Sequence, residues 1–183
     1  NAGGGVVCLT PRGSIFNNTI VDNSADNGAD NFGVAWIDKL YIYNNIIWSD
    51  RFSAVPDFIA WETDSRYLHI FNNLLKEPFS PGDDVTAFDN VFNPPSFQTG
   101  SYNLDIYSPG IGQGIDTLTV KGMLLAAPVS DYNGNPRPDP GDNLVDMGAI
   151  ESPFEAYVYI PDTAFLNALI DQAVDTSEDG LIS

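Results

Sequence analysis

The chain is short of cations. Seven Lys and Arg stand against 25 Asp and Glu in 183 residues, a formal charge of −18 at neutral pH. Contact with phosphate needs Lys and Arg, so this balance argues against nucleic acid or an anionic membrane as a partner. It is compatible with a secreted protein, with cation binding, or with solubility alone. There is one cysteine, so no internal disulfide can form. Cys8 sits in the apolar run Val6-Val7-Cys8-Leu9 and reads as a small buried hydrophobe. One histidine, His69, leaves no Ser-His-Asp spacing and no Cys/His metal set, and no Gly-rich phosphate loop appears. No apolar run approaches the ~18 residues that span a bilayer, and no signal peptide is present. Membrane insertion is therefore not expected.

Hydrophobic residues make up 43% of the chain, enough for a real core. They are organised by a phrase used four times. It reads Ile15-Phe16-Asn17-Asn18-Thr19-Ile20, then Ile42-Tyr43-Asn44-Asn45-Ile46-Ile47, then Ile70-Phe71-Asn72-Asn73-Leu74-Leu75. A degraded copy is Ala87-Phe88-Asp89-Asn90-Val91-Phe92. The second Asn recurs at spacings of 27, 28 and 17 residues (Asn18, Asn45, Asn73, Asn90). Periods in the range of roughly 20–50 residues indicate a solenoid or array. Leu40 to Asn44 and Leu68 to Asn72 alternate, with Leu, Ile and the first Asn on one face, and are rich in β-branched and aromatic residues, which favours strand over helix. Asn tolerates the left-handed backbone region, so the Asn pair suits a sharp corner between two strands. Stacked corner amides at Asn18, Asn45, Asn73 and Asn90 could then bond from one copy to the next.

Alternation sends Leu, Ile and the first Asn of each copy to one face. Phe16, Tyr43, Phe71 and Phe88 then form a column on the other, joined by Tyr41 and His69. Such a column is either covered by a loop or neighbouring domain, or it is a binding surface for protein or for sugar rings. Trp36, Trp48 and Trp61 could edge that surface or lie in the core. The loop from Asp22 to Asn31 carries Asp22, Asp26 and Asp30, a solvated turn or a calcium site.

The corner phrase resembles the right-handed parallel β-helix proteins, the pectate-lyase-like group, over roughly residues 5 to 108. Strand, Asn corner, strand and loop, stacked in parallel, is their plan. The fold expected is thus all-β, a right-handed parallel β-helix with a C-terminal cap and a short C-terminal helix. Residues 1–100 would be its rungs, ended by Asn93-Pro94-Pro95, where two prolines remove ladder donors. Residues 101–155 resemble the terminal segment of secreted bacterial β-helix proteins, in Asp131-Tyr132-Asn133-Gly134-Asn135-Pro136-Arg137 and Asp146-Met147-Gly148-Ala149-Ile150-Glu151. That segment should close the open end of the coil, with Arg137 paired to Asp146 or Glu151.

Residues 156–183 change character. Asp162 or Thr163 should cap a helix whose Phe165, Leu166, Leu169, Ile170 and Ala173 share one face. Asp175 to Ser183 then resembles the first nine positions of an EF-hand loop. Calcium would take Asp175, Ser177 and Asp179, the carbonyl of Leu181, and Ser183, with the position-12 Glu lying beyond the chain. The ends read as cut, as in a fragment of a longer exported protein.

Functional expectations divide. One is an extracellular or cell-surface bacterial module for structure, adhesion or display, with other domains of the parent chain or surface proteins as partners. Another is the C-terminal part of a polysaccharide lyase or glycoside hydrolase whose active site lies upstream. Arg66 and Lys76 could share a rung, but no catalytic set accompanies them. A third is a carbohydrate-binding module that uses the aromatic column.

Overall fold

The computed structural model describes residues 4–9, 12–51, 55–61, 68–78, 85–140, 144–156, 160, 162–174 and 182, with the side chain of Trp61 left aside. The calcium ligands expected at Asp175, Ser177, Asp179, Leu181 and Ser183 lie outside these residues, as does Arg66.

The fold is all-β, built on parallel sheets, with one short helix. Three successive passes of the chain each lay one strand on each of three sheets. The first pass is β1 (Val6–Leu9), β2 (Arg12–Phe16) and β3 (Thr19–Val21). The second is β4 (Phe32–Ala35), β5 (Lys39–Tyr43) and β6 (Ile46–Trp48). The third is β7 (Phe58–Trp61), β8 (Leu68–Phe71) and β9 (Leu74–Leu75), and β10 (Thr86–Phe88) adds a fourth strand to one sheet. The orders are β1-β4-β7, β2-β5-β8-β10 and β3-β6-β9, all parallel. Equivalent residues of the repeated phrase pair directly: Ile15 with Ile42, Ile42 with Ile70, and Ile70 with Ala87. The repeat in sequence is therefore the register of the sheets.

Alternation puts Phe32, Val34, Leu40, Ile42, Ile47, Leu68, Ile70 and Leu75 into one shared interior. Cys8 packs against it half-buried, and burial pushes its thiol pKa up. The opposite faces are also buried. Ile46, Trp48 and Leu74 meet Leu104, Ile111 and Met147 from the following segment. Tyr41, Tyr43 and Phe71 meet Val120 and Leu125 of an antiparallel hairpin, β11 (Thr117–Val120) and β12 (Met123–Ala126). Parallel sheets characteristically bury both faces.

The segment expected to act as a terminal cap runs along the flank of the three sheets. It touches all three passes: Asn17 and Thr19 in the first, Asn44 in the second, Asn72 in the third. The reason is in the composition of the strands. Their outward faces carry Ile46, Trp48, Leu74 and the aromatic rings, and an apolar flank needs cover over its whole height. Gly148 shows how closely the segment approaches. With φ of +96°, a Cβ there would lie 2.7 Å from Thr19 Oγ1.

Helix α1 (Thr163–Asp171) starts at Asp162, whose Oδ1 accepts from the N–H groups of Ala164 (2.9 Å) and Phe165 (3.1 Å). Of the expected apolar face, Leu166, Leu169 and Ile170 are half-buried, while Phe165 and Ala173 are exposed. No helix among the described residues is long and apolar enough to cross a membrane.

Candidate functional site

The Asn corners divide their labour. The second Asn of each pair builds a ladder. The Asn45 N–H and Nδ2 both donate to Asn73 Oδ1, at 3.0 and 2.9 Å. Asn18 makes the same two bonds to Asn45, and Asn73 makes them to Asn90. The remaining Nδ2 hydrogens reach backbone carbonyls, as from Asn73 to Ile42 (2.9 Å) and Phe71 (2.9 Å). Asn45 and Asn73 are fully buried, and in this way their amide groups are satisfied.

The first Asn does something else. Simple alternation would send it inward, beside Leu and Ile. Instead Asn17, Asn44 and Asn72 take φ of 51°, 56° and 49°, and Asp89 takes 50°. The left-handed corner breaks the alternation and turns the side chains of Asn17, Asn44 and Asn72 onto the flanking segment. Asn44 Nδ2 donates to the Ile115 carbonyl (2.8 Å), and the Ile115 N–H returns a bond to Asn44 Oδ1 (2.9 Å). Asn17 Nδ2 reaches the Asp146 carbonyl (3.2 Å), and Asn72 Nδ2 the Gln113 carbonyl (3.2 Å).

The aromatic column forms as the register requires. Phe16, Tyr43, Phe71 and Phe88 stack with centroid separations of 5.0, 5.5 and 4.9 Å and interplanar angles of 6° or less. Strand spacing in a sheet is ~4.8 Å, so in-register rings meet face over face. Beside them Tyr41 stacks on His69 at 4.9 Å and 20°. The column is not an open binding surface. The β11–β12 hairpin lies on it, and Tyr43 Oη donates to the Ala126 carbonyl (3.0 Å). Tyr41, Tyr43, Phe71 and His69 are all buried, and Phe16 and Phe88 half-buried. Trp48 is buried in the flank cluster, while Trp36 is exposed.

Arg137 pairs with Glu151 rather than with Asp146. Its Nε lies 2.6 Å from Glu151 Oε1, both side chains are 1% exposed, and Nη2 donates to the Gly148 carbonyl (3.0 Å). Burial pushes the Glu151 carboxyl up against the pull of Arg137. Asp146 serves backbone groups, accepting from the N–H of Gly112 (2.7 Å) and Ser152 (2.6 Å). Asp131 accepts from the N–H groups of Asn133, Asn135 and Glu151. Burial alone would raise its pKa, but these bonds and the Asn135 amide hold it below the usual carboxylate value.

A second corner ladder has a weaker signature in the sequence. Asn31 Nδ2 donates to Asp57 Oδ1 (2.9 Å), and the Ser49 N–H to Asp57 Oδ2 (2.7 Å). The signal is a polar residue before Phe32 and again before Phe58, 26 positions apart. Burial raises the Asp57 pKa to about 6 against the pull of Lys76. Asp57, Lys76 and Glu77 line a niche of about 120 Å³. In the Asp22–Asn31 loop, Asp30 Oδ1 accepts from the Ala25 N–H (2.8 Å), and Asp22 Oδ1 from the Asp50 N–H (3.3 Å). The first bond closes the loop on itself, and the second ties it to the chain after β6. Among the described residues no three His, Cys, Asp or Glu are grouped to hold a metal ion.

Among the described residues, no strand pairs with the outer edge of the first pass. β1, β2 and β3 are all edge strands on the same side of their sheets. Val6, Val7 and Leu9 are exposed there. A cavity of about 770 Å³ at that end is lined by Val6, Ile15, Ile20 and Phe32, and by Tyr132 and Ile150 of the flank.

Comparison with protein-family models, with curated proteins and with solved structures finds no match to this chain.

Proposed function

We propose that this chain is part of a right-handed parallel β-helix of the secreted or cell-surface bacterial type, serving as a structural and interaction module for display or adhesion. One observation carries the reading. The aromatic column is spent on internal packing, while among the described residues no strand pairs with the outer edges of β1–β3, beside an apolar cavity. Such a parallel edge fits pairing with another strand circuit, from the parent chain or from a surface protein. The acidic surface and the Asn ladder agree with that reading. A calcium ion in the Asp175–Ser183 loop belongs to the same proposal.

The test is display on intact cells, with catalysis as its counterpart. Antibody labelling of unpermeabilised cells should detect the native protein. Incubation with acidic and neutral polysaccharides should release neither reducing nor unsaturated ends. An intracellular signal, or turnover, would overturn the reading.

A second reading rests on the Asp57 niche. A carboxyl with a pKa of about 6, sharing a small cleft with Lys76 and Glu77, has the ingredients of acid–base chemistry on a polysaccharide. It predicts turnover that Glu77→Gln abolishes without loss of fold.

A further inference from the structure

Among the described residues, three buried polar atoms beneath the β11–β12 hairpin have no hydrogen-bond partner: Tyr41 Oη, His69 Nδ1 and His69 Nε2. Both residues are 2% exposed. Buried polar atoms are rarely left so, because each forfeits its bonds to water. Among the described residues, the charges acting on the His69 ring come from two sides, and both are cations. Lys39 of β5 lies with Nζ 5.5 Å from the Tyr41 ring centroid, and Lys121 sits in the hairpin turn. The nearest positions in register are neutral, Ser14 of β2 and Thr86 of β10, with Tyr41 between. Arg12 of β2 pairs with Asp38 at the surface, and Asp116 sits at the base of the hairpin. Neither acts on the ring. Burial and the two lysines disfavour a charged imidazole there.

The cover is also the weaker partner. A two-stranded hairpin is marginal alone. Among the described residues β11 and β12 pair only with each other, and Met123 and Leu124 are exposed. Polar tethers hold the base, at Asn44–Ile115 and Tyr43–Ala126, whereas the turn lies at the far end.

We propose that the hairpin is a pH-sensitive cover, which lifts when His69 is protonated and so exposes the rings of Tyr41, Tyr43 and Phe71. In the closed state the imidazole is neutral. Lifting the hairpin returns it to water, where it binds a proton near its ordinary value of about 6.5. The open state therefore binds more protons between that value and the lower closed-state pKa. Closure weakens as pH falls through this window, and below it the loss is complete. This holds whether or not the module serves display.

Hydrogen exchange on the intact chain tests the proposal, with rates corrected for intrinsic pH dependence. Amides of residues 117–126 should lose protection between pH 7.5 and pH 5. Amides of β5 and β8 should keep theirs. His69→Phe retains the ring and removes the proton site, so its hairpin should stay protected at both pH values. If that variant fails to fold, Lys121→Met takes its place and should show a smaller loss at pH 5 than the wild type. NMR of the lone histidine should give a midpoint below 6.5. Unchanged hairpin protection at pH 5, an equal loss in the variant that folds, or a midpoint at or above 6.5 would each overturn the proposal.

Discussion

Asn73 Oδ1 accepts two hydrogen bonds from Asn45, from its backbone N–H at 3.0 Å and its amide Nδ2 at 2.9 Å. One atom thus satisfies two donors in the buried corner of the neighbouring pass. Asn73→Ala orphans both, together with the carbonyls of Ile42 and Phe71 that the Asn73 amide serves. At ~1–3 kcal/mol for each buried polar group left unpaired, partly relieved by relaxation, the loss should be on the order of 3–5 kcal/mol. Urea unfolding monitored by tryptophan fluorescence measures it. Asn72→Ala loses one contact to Gln113 and a residue suited to positive φ, and should cost less.

The buried Arg137–Glu151 pair predicts a non-additive cycle. Arg137→Met leaves an uncompensated carboxyl, and Glu151→Leu an uncompensated guanidinium. Each should cost about 3–5 kcal/mol, and the double variant less than the sum of the two. Additive losses in thermal and urea unfolding would mean that the two groups are not coupled.

Asp57 should mark the pH profile. Its folded pKa, about 6, lies above the ordinary carboxylate value. The folded state therefore holds its proton over a range in which the unfolded chain has released it. Asp57 then makes stability fall as pH rises from about 4 to about 6. Carboxyl NMR should show Asp57 titrating near 6. Its removal should flatten that part of the stability profile, whatever it does to the absolute value.

Much of the fold was legible because the Asn-Asn phrase repeats in register. Once Ile15, Ile42, Ile70 and Ala87 are aligned, the parallel pairing, the ladder and the aromatic stack follow. The direction of the first Asn was not legible from alternation. A single left-handed residue at Asn17, Asn44 or Asn72 resets the period of two, and its purpose lies in a segment dozens of residues away. The hairpin was hidden for a related reason. Its two-residue turn is Lys121-Gly122, with both φ angles positive, and lysine is not the residue that usually announces such a turn. Without the hairpin the aromatic column looks like a surface. The course of the flank segment was not legible either, because the apolar outer faces of β3, β6 and β9 are apparent only once the strands are stacked.

Phe71 separates a structural column from a binding surface most directly. It is fully buried, stacked between Tyr43 and Phe88. The measurement is urea unfolding of wild type and Phe71→Ala, beside glycan-array binding of both. The expected result is a stability loss of about 3–5 kcal/mol and no saturable glycan binding by either protein at neutral pH. Saturable binding by the wild type that Phe71→Ala abolishes, with stability unchanged, would contradict it and make the column a ligand site.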